Sequence, residues 1–315
     1  MTVNNAVHGG PAGDEAAAGR GGARRIVRAV LRDRWAVAGA VTIVGFVLAA
    51  LLAPALSAIT GQDPYTYHLD LLDDSGVPRG FGGGISAAHW FGVEPLTGRD
   101  LFAVVVHGAR TSLLVGLGAT AVSACVGVLV GLVSGFLGGW PDRVAGRAVD
   151  VILGFPLLVF IIALTTIVPA GFPRPLFLIL IMGAFGWPGI ARVVRGQTLA
   201  VRERAFVAAA TVMGAPRRHV IRSHVLPNIA ATVIVVTTIV VPGMIGIEAV
   251  LSFLGVGVAP PTPSWGRTIG DAVGWMQTSP MYLVFPGLAL FLVTFAFNAF
   301  GDGLRDALDP RGGRA

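Results

Sequence analysis

Six apolar runs, at about residues 35–56, 112–137, 151–168, 176–194, 229–251 and 281–300, dominate the chain and leave few ways to fold it. A hydrocarbon core of about 30 Å takes roughly 20 helical residues at ~1.5 Å each, and the first run alone would cover about 33 Å. Composition agrees: 54% hydrophobic and 13% charged residues among 315 leave too little polar surface for a soluble globule. The fold class read from this pattern is an all-α polytopic membrane protein with about six transmembrane helices. A cleaved signal peptide is the rival reading of the first run, with Ala53-Pro54-Ala55 as a cleavage-like site. That run exceeds the ~7–15 apolar residues of a signal, so it is read as a retained span.

The arginines set the orientation. Arg20, Arg24, Arg25, Arg28, Arg32 and Arg34 precede the first run, Arg143 and Arg147 lie in the 138–150 turn, and a third group lies in 195–228. Six crossings place about 18 of the 23 basic residues on one side, which the positive-inside rule makes cytoplasmic. Both termini then lie in the cytoplasm. Residues 57–107, with Asp63, Asp70, Asp73, Asp74 and Glu94, fall outside; at about 50 residues the segment is long for a bare connection, and ordered structure is expected there. The formal charge of +6 would admit nucleic acid, yet the arginines sit between apolar segments with no basic run interleaved with aromatics.

Several chemistries are excluded by residue type. The chain has no lysine, so it carries neither a P-loop nor a Schiff-base amine. Cys125 is the single cysteine, which rules out an intrachain disulfide and a multi-cysteine metal site, and His219 and His224 are too few for zinc. No catalytic residue, metal ligand or cofactor is assigned to this chain. Within the second run, Gly127, Gly131 and Gly135 form a stripe that lets another helix approach closely.

The most informative polar stretch is RERAFVAAATVMGAPRRHVIRSHVLPN, residues 202–228. Residues 199–213 favour helix, Gly214 can take the left-handed position that ends it, and Pro216 suits the first turn of a second helix. Arg217, Arg218 and Arg222 rim that second helix, and Pro227 separates it from the fifth span. Physically the stretch reads either as a docking surface or as a solvated loop with inside-positive charge.

Its pattern resembles the EAA loop of ATP-binding cassette importer permeases. Ala208, Ala209 and Ala210 stand at the Glu-Ala-Ala positions, followed by Gly214 and by Leu226 with Pro227. The family's glutamate is replaced by Ala208, with Glu203 nearby. Three further blocks, FGVEPLTGRDLFAVVVHGARTSLLVGL (91–117), LSFLGVGVAPPTPSWG (251–266) and FNAFGDGLRDALDPR (297–311), are similar to the C-type permeases of dipeptide, oligopeptide and nickel importers. The first contains Gly98, Arg99, Asp100, Gly108, Arg110 and Ser112.

The resemblance covers about residues 30–311 and implies a type I importer permease fold in a bacterial-type plasma membrane. It divides the chain into a cytoplasmic tail (1–34), a first span (35–56), an extracellular segment (57–107), a permease core (108–303) with its coupling loop at 199–228, and a cytoplasmic tail (304–315). The implied partners are a second homologous permease, two cytoplasmic ATPase subunits that bind ATP and Mg, and an extracellular solute-binding protein delivering peptide. Nickel or another small solute is the alternative cargo. A membrane enzyme would need a nucleophile-base pair or ligand cluster, and a passive channel would not need a docking segment.

Remaining polar residues are read in this frame. Glu248, in the outer part of the fifth span, either lines or gates the translocation path or makes a structural hydrogen bond to a neighbouring span. Asp150 is expected to cap the third span or to pair with Arg147 or Arg143. Arg99, Asp100 and Arg110 either organise the outer segment or meet the binding protein. His89 and Trp90 read as a turn anchored at the membrane interface.

Overall fold

The computed structural model describes residues 27–165, 167–169 and 171–308. Within them the protein is helical, and its extended pairing is confined to isolated bridges between Leu72 and Pro78 and between Val93 and Asp100. Helix α1 is Arg34–Leu51, followed by the short α2, Ala53–Thr60. Helix α3, Leu101–Leu137, is 37 residues long, or about 55 Å, well beyond the ~30 Å of a bilayer core. It begins ahead of the expected residue 112 because Asp100 caps it, Oδ1 accepting from Ala103 N at 2.7 Å.

Helices α3 and α6, Arg174–Arg202, form the most extensive contact in the molecule. The stripe expected to seat another helix seats this one. A Cβ on Gly127, Gly131 or Gly135 would lie about 3 Å from the carbonyl oxygens of Trp187, Ala191 and Arg195 respectively. Residue numbers on the two helices rise together, since Gly118 meets Ile179 and Gly135 meets Thr198, so α3 and α6 run parallel. The chain between them must therefore return the full height of the bundle.

That return departs from the simple third span expected. It consists of α4, Gly139–Gly154, and α5, Leu157–Thr165, bent by 79° at Phe155 and Pro156. Phe155 is held extended at φ −88° and ψ 138°, as a residue before proline tends to be. Among the described residues five helices are individually long and apolar enough to cross a membrane, and this broken pair is a candidate sixth crossing. The 138–150 segment is thus helical rather than a turn. Asp150 pairs with neither Arg147 nor Arg143; it reaches Arg192 of α6 at 3.2 Å, while Asp142 meets Arg195 in a bidentate pair at 2.5 and 2.8 Å. The two acids are about 12 Å apart along α4, whereas their arginines are separated by about 4.5 Å along α6.

After α6 come α7, Ala205–Val212, and α8, Arg217–Val220. A π turn over Ile221–Val225 then leads without interruption into α9, Leu226–Phe253. The short α10, Trp265–Ala272, precedes α11, Pro280–Leu308. Helices α1 and α11 pack antiparallel: a Cβ on Gly39 would meet Ala296 O at 2.6 Å, and one on Gly303 would meet Asp33 Oδ2 at 3.0 Å. The start of α1 and the end of α11 therefore share one face of the bundle.

The largest core joins Leu101, Val105 and Leu113 of α3 to Ile245 of α9, Trp265 of α10 and Val293 and Phe297 of α11. Trp265 is wholly buried, its indole N–H donating to Val105 O at 2.9 Å and its ring standing edge-on to Phe46 at 5.7 Å. Residues such as Val41, Val44 and Leu48 on α1 stay exposed, as a lipid-facing helix requires.

Candidate functional site

The arginine-rich segment closes the end of the bundle where α3 and α6 terminate. Val207 and Ala210 of α7, Val220 of α8 and Val225 of the π turn pack with Leu132, Ile190, Val194 and Val201. This apolar underside fixes the segment to two spans. Its other side faces away: Ala208 and Ala209 are exposed, and Val212 and Met213 are 87% and 81% exposed. Adjacent large apolar side chains beside a cluster of charge give this tip the make-up of a contact surface. Arg217, Arg218 and Arg222 are exposed around this tip, and none of them forms an ion pair with a described carboxylate.

Local structure follows the sequence in part. Gly214 has φ +81°, the left-handed conformation that ends α7, and its amide donates to Thr211 O at 3.1 Å. Pro216 caps α8 from just outside it. The first helix is shorter than expected: residues 199–202 belong to α6, and Glu203 and Arg204 form a break before α7. Glu203 is the exposed C-cap residue of α6. Pro227 does not separate α8 from the fifth span. It sits in the first turn of α9, where its missing N–H is tolerated because the π turn shifts the hydrogen-bonding register. Residues 217–253 consequently form one helix of 37 residues.

The outer block is built in the opposite sense. Glu94 is almost fully buried and accepts from Arg99 Nε at 2.6 Å and from Thr97 Oγ1 at 3.0 Å. Burial pushes the Glu94 carboxyl above the ordinary carboxylate range, opposed by the Arg99 charge. Asp100 caps α3 and also pairs with His89 Nδ1 at 2.8 Å, both side chains being buried. His89 is therefore part of the fold of this lobe, while Trp90 stays half exposed with its indole N–H on Ala87 O. Gly98, at φ +66°, passes so close to the backbone of His68 that any side chain would collide with it. Gly108 lies under Trp265, and Ser112 Oγ accepts from Trp265 N at 3.3 Å. Of this block's candidate residues Arg110 alone is exposed.

Glu248 has no exposed surface. Ser252 Oγ donates to its Oε1 at 2.7 Å, and its Oε2 is buried without a hydrogen-bond partner among the described residues; the Ser112 and Ser264 side chains belong to the same buried cluster of polar contacts. Each serine oxygen in turn accepts a backbone N–H, from Val258 at 3.1 Å, Trp265 at 3.3 Å and Arg267 at 3.2 Å. Ser252 thus joins Glu248 to the 254–264 loop, and Ser112 joins α3 to the start of α10. In this conformation the carboxyl is enclosed by helix packing. The three serines were not singled out for this from sequence, and their only signal was their place in the two blocks around Ser112 and Trp265.

Comparison with known proteins follows the same regions. The family described as binding-protein-dependent transport system inner membrane component matches residues 127–313, and the N-terminal TM domain of oligopeptide transport permease C matches residues 23–75. The oligopeptide transport system permease protein OppC of Haemophilus influenzae is 38% identical over 285 residues, covering 90% of this chain and 87% of the relative. The dipeptide transport system permease protein DppC of Alkalihalophilus pseudofirmus is 35% identical, covering 91% and 90%. The glutathione transport system permease protein GsiD of Pectobacterium atrosepticum is 35% identical, covering 91% of each chain.

Proposed function

The chain belongs to the family of binding-protein-dependent transport system inner membrane components, and from that membership we propose that it is one permease half of an ATP-driven importer of di- and oligopeptides. As a member of that family it is a multi-pass membrane permease subunit, not itself an enzyme. The relatives named for oligopeptides, dipeptides and glutathione support a peptide cargo over nickel. A second, homologous permease completes the path, an outer binding protein delivers peptide, and two ATPase subunits bind ATP and Mg on the arginine-rich face. That face is the cytoplasmic one under the positive-inside rule, so both termini are cytoplasmic.

One observation carries the coupling role: the exposed Val212–Met213 tip and its arginine rim are mounted on a segment packed firmly against α3 and α6. An ATPase surface that seats this tip acts on the spans directly. The continuous helix from Arg217 to Phe253 extends the displacement over about 55 Å, to the loop whose Val258 amide Ser252 holds. Nucleotide binding shifts the permease between inward- and outward-facing states only through the difference in ATPase contact between them. Ala208 in place of a glutamate makes this contact apolar at that position, with the charge supplied by the rim.

The test is uptake of labelled di-, tri- and pentapeptides, with nickel in parallel, by cells lacking this chain and rescued with the parent sequence or with Gly214→Asp. Peptide uptake restored by the parent and not by Gly214→Asp is the expected result. Restored nickel uptake alone would replace the peptide reading, and full uptake by Gly214→Asp at equal membrane levels would remove the coupling role.

A further inference from the structure

Helix α4 carries a surface that the transport reading leaves unused. Its inner side is committed to the bundle through Val149, packed with Trp187 and Ala191, and through the Asp142–Arg195 and Asp150–Arg192 pairs. Its outer side presents Trp140, Val144 and Val151, all large and exposed, with Arg143 and Arg147 between them. The arginines of α6 consume both acids of this helix. Arg143 makes a long hydrogen bond to Gly139 O at 3.4 Å, and neither it nor Arg147 pairs with a described carboxylate. Tryptophan and arginines on the outward side of the arginine-side end of a crossing are the residues that sit at the membrane interface.

The surface is also shaped. A groove of about 450 Å³, within the ~300–1,000 Å³ of small-molecule sites, runs between α3 and α4 and is lined by Leu129, Val133, Trp140, Val144, Ala148 and Trp187. It adjoins a second depression bordered by Arg143, Arg147 and Val151. Apolar lining thus passes directly into a doubly cationic mouth.

We propose that α4 binds an anionic phospholipid of the arginine-side leaflet, with an acyl chain in the α3–α4 groove and the phosphate between Arg143 and Arg147. Charge complementarity selects this occupant. A zwitterionic lipid carries its own cation to the same mouth, and a protein segment in the groove would have to supply acids to two arginines that no described carboxylate matches. The site is independent of which solute is carried.

The complete transporter, reconstituted in nanodiscs of phosphatidylcholine with phosphatidylglycerol, tests this by native mass spectrometry of the lipid it retains. The parent is expected to retain phosphatidylglycerol over phosphatidylcholine by about thirtyfold, the worth of two arginines at an anionic surface. Arg143→Gln with Arg147→Gln loses that preference, and Arg143→Lys with Arg147→Lys keeps it. Equal retention of the two lipids by the parent, or an unchanged preference in the glutamine variant, would overturn the proposal. So would efficient crosslinking of Val144→Cys to the second permease, which would make the groove a subunit contact.

Discussion

The two ends of this bundle use similar residues in opposite ways. At the outer end Arg99, Asp100, Glu94 and His89 are turned inward and matched to each other, and Gly98 is pressed against a neighbouring backbone. At the other end Arg217, Arg218 and Arg222 are turned outward and paired with no described carboxylate, and Gly214 has open space where a side chain would be. The first arrangement makes a fixed lobe; the second leaves binding capacity for a molecule that is not this chain. Charge and glycine content alone do not distinguish them. Burial does.

The sharpest way to break the comparison is at the outer lobe, where substitutions should damage folding. Trp265→Ala removes a fully buried indole that spans α3 and α10, and should cost about 4 kcal/mol, read as a lower thermal midpoint and a lower yield of folded protein. A stability within about 1 kcal/mol of the parent would show that the lobe is not built around this residue.

Arg99→Met strands the Glu94 carboxylate and should cost about 3 kcal/mol near neutral pH. The pH dependence has a definite sign. Because the folded pKa of Glu94 is raised, the folded state holds the proton more tightly, and stability falls as pH rises from 4.5 through the folded value. Loss of Arg99 raises that pKa further, so the variant should fall more steeply and over a window reaching higher pH. Parallel pH–stability curves for parent and variant would contradict the matched-pair account.

At the other end stability and function should separate. Gly214→Asp places a side chain at positive φ and should cost about 1 kcal/mol while abolishing uptake. The smallest stability effect belongs to Val212→Ser with Met213→Ser, under about 0.5 kcal/mol because both side chains are exposed. The same double variant should lose co-purifying ATPase. Should it destabilise the permease strongly instead, the tip would be part of the fold and the contrast between the two ends would fail.

Much of this was legible in the amino acids. Apolar runs located the crossings, glycine spacing announced the α3–α6 contact, and the Gly214–Pro216 pair marked the turn, because each rests on a local rule of length, size or backbone conformation. The bend in the third crossing was not foreseen because hydropathy does not register direction. Its signal was Gly154-Phe155-Pro156, where proline holds Phe155 out of helix and the chain turns by 79°. Pro227 misled in the other sense: a proline next to a π turn continues a helix it would otherwise end. Whether Arg99 and Asp100 faced a partner or the core could not be read, since both uses draw on the same side chains. Glu248 was legible as an unusual acid in an apolar helix; its partner Ser252 stands one turn further along the same helix, while the backbone that Ser252 and Ser112 accept from comes from segments that only the fold assembles.

The central claim, that the exposed arginine-side tip is the surface on which ATPase subunits act, is tested most directly by crosslinking in intact membranes. Met213→Cys, in a background with Cys125→Ser to remove the exposed native thiol, would carry a maleimide photocrosslinker. The account predicts a crosslink to an ATPase subunit whose yield changes when a non-hydrolysable ATP analogue is added. A Met213→Cys thiol that remains freely reactive to aqueous maleimide in the assembled transporter, and crosslinks to no ATPase, would contradict it.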